Sequence, residues 1–382
     1  MLLAPLDWGL GHATRCIPII KELVGRNCEV WIAASGAQKM LLQKEFPFLD
    51  FIQLDGYNIY YGKNRALTFF KLFSSIPKIL TRIRAENRWL RQFIQLRRPD
   101  LIISDNRYGF HAPGIPSIFI THQLSIRTGM GQFFDNTLRR LNYRFIDRFT
   151  ACWIPDLPDE GQSLAGSLSH PPVMPQIPTR YIGPLSRLTP YTSHSPTDLL
   201  IILSGPEPQR TILENILFDQ LRTSPGHTDH TGLPGQTILV RGLPSNASSS
   251  PAIPNTRIFN HLPAADLAPL LSSASLVLTR AGYSTIMDLA RLDKKAILIP
   301  TPGQTEQEYL AASLHSRRHA LCIPQKDFSL QDALAKAKAF PFTPFKTNEN
   351  GENTLLISAI EDMLNSVQEK SPHHSPGTAD FG

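Results

Sequence analysis

Short apolar runs alternate with longer amphipathic stretches along nearly the whole chain. The runs at 2–6, 29–33, 51–54, 101–104, 117–121 and 151–155 are bounded by turn-forming residues and read as buried strands. Between them, 13–25, 38–45 and the long basic stretch 67–96 repeat apolar residues at three- and four-residue steps, the period of a helix. Strands separated by helices imply βαβ crossovers and a parallel sheet. A polar, proline-bearing connection then interrupts the pattern. It restarts with strands at 199–203, 237–241, 257–260, 275–278 and 296–300, and helices at 207–221, 264–271, 284–292 and 304–316. The expectation is an α/β chain of two parallel-sheet domains, 1–185 and 198–345, joined by a linker at 186–197. An amphipathic helix follows at 354–364, and residues 367–382 read as a disordered tail. The Gly-, Ser- and Pro-rich segments 223–236 and 245–255 read as surface loops.

Composition narrows the picture in four ways. At 382 residues and 42% hydrophobic, the chain can fill two cores. Its four cysteines, Cys16, Cys28, Cys152 and Cys322, have neither metal-finger nor CxxC spacing, which suits a reducing compartment. No signal-like start and no membrane-length apolar run is visible, so the chain reads as cytoplasmic. Charge is uneven within a net of +6: between Arg65 and Arg148 there are 15 Lys/Arg against 5 Asp/Glu. Such a segment suits anionic lipid or a phosphorylated acceptor, or is a solvated helix surface; nucleic acid is not expected as a partner.

Three clusters carry candidate chemistry. The first, Asp7-Trp8-Gly9-Leu10-Gly11-His12-Ala13-Thr14-Arg15, follows the first strand. Gly9 and Gly11 permit a sharp strand-to-helix turn and close approach of a ligand to backbone N–H groups. Thr14 stands where a dinucleotide fingerprint needs its third glycine, which argues against NAD or FAD. The turn instead presents His12, a residue that titrates near neutrality and can take a proton from an attacking hydroxyl; a plain helix cap is its other reading. Asp105 ends the fourth strand, and carboxyl ends of parallel strands line one crevice, so Asp105 can orient His12 there; a turn-forming Asp before Asn106 is its other reading. His111, His122 and Gln123 lie at or after neighbouring strand ends and are weaker candidates.

The second cluster, Ser204-Gly205-Pro206-Glu207-Pro208-Gln209-Arg210, opens a helix and suits a diphosphate, with Ser204, Gly205 and Arg210 as its contacts. The third is the most specific. In Thr279-Arg280-Ala281-Gly282-Tyr283-Ser284-Thr285-Ile286-Met287-Asp288, a strand ends, a glycine turn follows and a helix starts at Ser284 and Thr285. Backbone N–H groups and hydroxyls at that start suit phosphate oxygens, and Asp288 lies one turn on, within reach of a ribose diol. Polar residues recur at the next strand end, in Pro300-Thr301-Pro302-Gly303-Gln304-Thr305-Glu306-Gln307.

The GxGHxxR turn, the GYST-x-x-D helix start and the IP…EQ segment together resemble the MurG-like, family 28 glycosyltransferases. The likeness is strongest over 2–22 and 258–312 and weak over 58–149. It implies the GT-B architecture, two Rossmann-like domains facing a cleft, with the nucleotide sugar held mainly by the C-terminal one. By position, Gly282, Ser284 and Thr285 would cradle the diphosphate, Asp288 the ribose, and Leu262 the base. Glu306 and Gln307 would bind the donor sugar, and the loop Gly9, Gly11, His12 would face the acceptor. The segment 346–366 would cross back onto the N-terminal domain. The acceptor is left unidentified: a lipid-linked one, with peripheral membrane contact through 67–96 at the inner face of the membrane, is one reading, and a soluble one, with the apolar stripe of 67–96 buried in the core, is the other. The phosphate turn of relatives is reduced here to Ser204-Gly205-Pro206, and their Asn after the EQ segment is replaced at Ala311 or Ala312. The sequence holds no Asp-x-Asp, the usual cation–diphosphate grip of the other main transferase fold, so no metal or other cofactor is expected. His227, Asp229 and His230 mimic a metal cluster within a loop and read as incidental.

The implied activity is transfer of a hexosyl group from a nucleotide diphosphate sugar, with UDP the expected nucleotide, and inversion at the anomeric carbon. Two rivals share the architecture: a non-hydrolysing nucleotide-sugar epimerase and a non-catalytic sugar-nucleotide-binding protein.

Overall fold

The computed structural model describes residues 1–56, 76–127, 129, 131–191, 197–223, 236–243, 252–345 and 353–369. Two all-parallel sheets organise it. The first runs β3-β2-β1-β4-β5-β6-β7, from β1 (Leu2–Pro5), β2 (Trp31–Ala34), β3 (Asp50–Gln53), β4 (Ile102–Asp105), β5 (Ser117–Ile120), β6 (Ala151–Ile154) and β7 (Thr179–Tyr181). The second runs β10-β9-β8-β11-β12-β13, from β8 (Thr197–Ile202), β9 (Thr237–Val240), β10 (Thr256–Phe259), β11 (Ala274–Thr279), β12 (Ala296–Leu298) and β13 (Leu321–Cys322). Both carry the Rossmann order. The central strands β1 and β4 are buried at every position because helices cover both faces, so they read as continuous apolar runs rather than alternating ones. The edge strands β7 and β13 are short and half-exposed; their weak apolar signal hid them from the pattern reading.

The helices in chain order are α1 (Leu10–Gly25), α2 (Gly36–Glu45), α3 (Ile76–Arg97), α4 (Gln132–Ile146), α5 (Gln209–Thr223), α6 (Ala264–Ser273), α7 (Tyr283–Arg291), α8 (Thr305–Ser316), α9 (Leu330–Ala339) and α10 (Thr354–Glu369). The described part of the basic stretch is α3. Its apolar stripe is buried rather than presented to solvent: Leu90 and Phe93 lie among Trp31, Leu54 and Phe110, and Ile83 lies against Leu6. Residues 67–75, the metal-like histidines at 227 and 230, linker residues 192–196 and the tail beyond 369 fall outside the described residues.

One apolar cluster joins the two sheets. It contains Leu3, Ile17 and Ile103 from the first half, Val277, Ile286 and Leu310 from the second, and Leu356, Ile360 and Met363 of α10. α10 follows the second sheet in sequence yet lies against α1, where Glu361 pairs with Arg26 at 3.0 Å and Asp362 with Arg180 at 2.6 Å. No helix among the described residues is long and apolar enough to cross a membrane.

Candidate active site

Strand order reverses between β1 and β4 in the first sheet and between β8 and β11 in the second. Loops leave such a pair in opposite directions and open a crevice at the carboxyl ends. The β1–α1 turn sits at the first of these points. Gly9 adopts φ +86°, a conformation glycine takes without a steric penalty. The buried Gln38 of α2 clamps the turn by donating to the carbonyls of Leu6 and Gly9. His12 then stands in the first turn of α1, directly opposite the end of β4.

Asp105 is fully buried, and its Oδ2 lies 2.8 Å from His12 Nδ1. Its other oxygen accepts from Arg15 Nε at 2.8 Å and from Arg15 Nη2. An ionised carboxylate can only accept, so His12 Nδ1 carries the proton and Nε2 keeps its lone pair. Arg15 Nη2 also lies 3.0 Å from His12 Nδ1; with that nitrogen protonated this is a charge contact, not a hydrogen bond. Arg15 Nη1 reaches His122 Nδ1 at 3.1 Å, and a guanidinium can only donate. His122 therefore accepts on Nδ1 and donates from Nε2 to Glu306 Oε1 at 2.8 Å. The chain His12–Asp105–Arg15–His122–Glu306 thus fixes the tautomer of both histidines and crosses from one half of the molecule to the other.

Electrostatics follow from this wiring. Burial first, then the Arg15 guanidinium, hold the His12 imidazole below its ordinary value against the pull of Asp105. Burial pushes the Asp105 carboxyl up, but Arg15 and His12 outweigh it and hold it below the usual range. For Glu306 burial also acts upward, and the hydrogen bond from His122 leads the contacts that reverse it. At neutral pH His12 is a neutral imidazole held among two carboxylates and the Arg15 guanidinium, with His122 bridging Arg15 to Glu306.

The second crevice faces the first. Gly11 lies so close to Ser284 that a Cβ there would meet its Oγ, and the N-termini of α1 and α7 converge. Tyr283 stacks on His122 with ring centroids 4.0 Å apart and 9° between planes. Its hydroxyl donates to the Pro155 carbonyl at 2.7 Å. Gly282 caps α7, and Ser284 and Thr285, half-buried, occupy its first turn. Ser204 and Gly205, the latter at φ +102°, form the turn after β8, with Thr301 Oγ1 beside Gly205. Asp288 accepts from Ser186 Oγ at 2.6 Å, and burial pushes its carboxyl up to about 6 against Arg187 and Ser186. Leu262 is buried just past β10.

Beside Asp288 and Glu306, two further expected donor contacts are already engaged elsewhere. Arg210 bonds Glu207 at 2.6 Å and pairs with Glu214 at 3.2 Å, and Glu214 also holds Arg241 at 2.6 Å. Gln307 accepts from the Thr301 backbone N–H at 2.9 Å and braces that loop. Arg280, by contrast, is 1% exposed and bonds only carbonyls: Gln209 at 2.7 Å, Ile299 at 3.2 Å and Pro300 at 3.4 Å. Burial lowers its pKa to about 10. It ties the turn after β11 to the start of α5 and to the loop after β12. Pattern reading did not single out Arg15, Arg280 or Tyr283 as site residues. The available signal was an arginine three residues after His12, on the same helix face, inside an otherwise apolar helix.

The comparisons fit this geometry. Residues 247–362 match the glycosyltransferase family 28 C-terminal domain. A stretch of 83 residues, 21% of this chain, is 36% identical to the UDP-N-acetylglucosamine--N-acetylmuramyl-(pentapeptide) pyrophosphoryl-undecaprenol N-acetylglucosamine transferase of Methylobacterium radiotolerans, spanning 22% of that protein. The transferase of the same name from an Anaeromyxobacter species is 23% identical over 340 residues, 86% of this chain and 82% of its own length. The crystal structure of the glycotransferase of kitacinnamycin shares the fold at a TM-score of 0.61 and 15% identity, covering 97% of this chain and 93% of that one. Residues 247–362 thus carry a family 28 C-terminal domain, and on that domain, the full-length likeness and the shared architecture the chain is a MurG-like glycosyltransferase with the GT-B fold.

Proposed function

We propose that the enzyme transfers a hexosyl group from a UDP-sugar to the hydroxyl of a lipid-linked acceptor, without a metal and with inversion. The observation that carries the reading is the His12–Asp105 pair at 2.8 Å, facing the α7 helix start across the cleft. In this scheme His12 Nε2 takes the acceptor's hydroxyl proton as its oxygen attacks the anomeric carbon. The bond from that carbon to the diphosphate breaks in the same displacement, which inverts the centre, and UDP leaves. Asp105 holds the tautomer and stabilises the imidazolium that forms. The α7 N-terminus, Ser284, Thr285 and the Ser204-Gly205 turn meet the leaving diphosphate, with buried Arg280 adding positive potential from below. Arg210, engaged by two carboxylates, contributes less than its position suggests. Asp288 would exchange its Ser186 partner for the ribose diol, and Glu306 its His122 partner for donor-sugar hydroxyls. Relatives named for a UDP-N-acetylglucosamine donor and an undecaprenol acceptor support the choice of substrates.

Two measurements test this. Calorimetry in excess EDTA should show UDP binding undiminished; abolished binding refutes metal independence. His12→Ala should keep UDP affinity and lose about 10²–10⁴-fold in transfer, the usual contribution of general-base catalysis. A loss below about tenfold leaves His12 a helix cap. Following free UDP from a UDP-sugar also separates the rivals, since an epimerase yields a new UDP-sugar and a binding protein yields nothing.

A further inference from the structure

A cavity of about 260 Å³ opens where the chain crosses from the first half to the second. Its walls are α1, the crossing segment 183–189, the last residue of α7 and the first turn of α10. Lys21 lines it nine residues beyond His12 on α1, about 13 Å along the helix axis. Arg291 lines it seven residues beyond Ser284 on α7, about 10 Å along that axis. The two helices whose starts form the active site thus both run away from it to this cavity.

Three cations meet there: Lys21, Arg187 of the crossing segment and Arg291. None has a hydrogen bond or ion pair to a described residue, and Arg187 Nε and Nη1 are buried without an acceptor. Burial holds the Arg291 guanidinium below its ordinary value. The one carboxylate among the described lining residues, Glu22, is taken by Arg26 at 2.5 Å. Asp288 lies within electrostatic reach of Arg187 but accepts from Ser186 Oγ instead. Like charges gathered with their donors unmet are a cost to the fold, which an anion removes. The N-terminal end of α10 adds the positive end of its dipole. The rest of the wall is largely apolar, with Pro18, Pro184, Leu355 and Ile357 each half-buried.

We propose that this cavity is a second anion site, separate from the donor crevice, that takes a small phosphate monoester with an apolar body. The planar forks of Arg187 and Arg291 match phosphate oxygens, and Lys21 adds a point charge. The apolar wall buries the organic part. An occupant touches α1, the crossing segment, α7 and α10 at once, so it ties the two halves together at the point where they would hinge.

Calorimetry of the full chain with phenyl phosphate and with inorganic phosphate, each in saturating UDP so that the donor crevice is filled, tests the site. Phenyl phosphate should bind at least about tenfold more tightly than phosphate, because its ring is buried against the apolar wall. Lys21→Glu with Arg291→Gln should weaken it by at least about tenfold, since charge-assisted bonds are lost. Lys21→Arg should keep most of the affinity, the charge being retained. UDP affinity should stay unchanged in all of these variants. In hydrogen exchange, phenyl phosphate should protect amides of residues 354–357, at the start of α10. No binding at millimolar phenyl phosphate, binding that disappears once UDP is added, or binding that survives the double substitution overturns the site. Protection confined to residues 282–285, in the donor crevice, overturns it equally. A chain that fails to bind UDP but takes phenyl phosphate in this Lys21-dependent way overturns the proposed function and leaves the second site standing.

Discussion

At the residue scale, Asp288 is the group whose role can be separated from folding. Its carboxyl sits at about 6 in the folded protein against an ordinary 3.8, because burial outweighs Arg187 and Ser186. Between those values the unfolded chain releases its proton before the folded one, so stability falls as pH rises through that window and levels off above it. Asp288→Asn removes this dependence. The stability of the unaltered protein minus that of the variant should therefore decline by up to about 3 kcal/mol from about pH 4 to pH 6. Denaturant melts across that range read it directly, and parallel curves would mean the carboxyl is not raised. The same variant should bind UDP more weakly by roughly 1–3 kcal/mol if Asp288 serves the ribose. The buried charge is thus a cost to the free fold that a bound diol would offset.

At the element scale, the convergence of two helix starts governs the cleft. Adding a methyl at Gly11 meets only the Ser284 hydroxyl, the movable end of a small side chain. Gly11→Ala should leave the melting temperature nearly unchanged but turn that hydroxyl out of the crevice, weakening UDP binding by about 1 kcal/mol, one neutral hydrogen bond. In a Ser284→Ala background it should do nothing further, and a double-mutant cycle measures this; additive losses would show that the two helices do not meet there. These elements were legible because each signal was local: an apolar run ending in Gly9-Leu10-Gly11-His12, and another ending in Gly282-Tyr283-Ser284. Asp105 was legible because a parallel sheet brings strand ends together whatever the loops do. Arg15, Tyr283 and the tie from His122 to Glu306 were not, since their partners lie up to 184 residues away and depend on how the two halves face each other. Nor does the sequence tell which face of α3 is buried, because a stripe that packs on a sheet has the same period as one that meets a bilayer.

At the scale of the whole molecule, the path of the chain ties the two sheets into one body. The last described helix belongs by sequence to the second half, yet Leu356, Ala359, Ile360 and Met363 are buried in a cluster with α1, the helix that carries His12 and Arg15. Around that apolar seam, the Arg26–Glu361 and Arg180–Asp362 pairs are largely exposed and add little, because water and salt screen them. The seam should therefore carry the energy. Ile360→Ala is expected to cost about 2–5 kcal/mol, the range for emptying a fully buried site, whereas Glu361→Gln should cost under about 1 kcal/mol. Hydrogen exchange locates the effect: with α10 loosened, amide protection should fall in α1, within residues 10–25, on the far side of the sequence from the substitution. Because α1 positions His12, transfer should decline at temperatures where UDP still binds. If protection were lost only in the second sheet, α10 would be an appendage of the donor half, and the two halves would be held together by the cleft contacts alone.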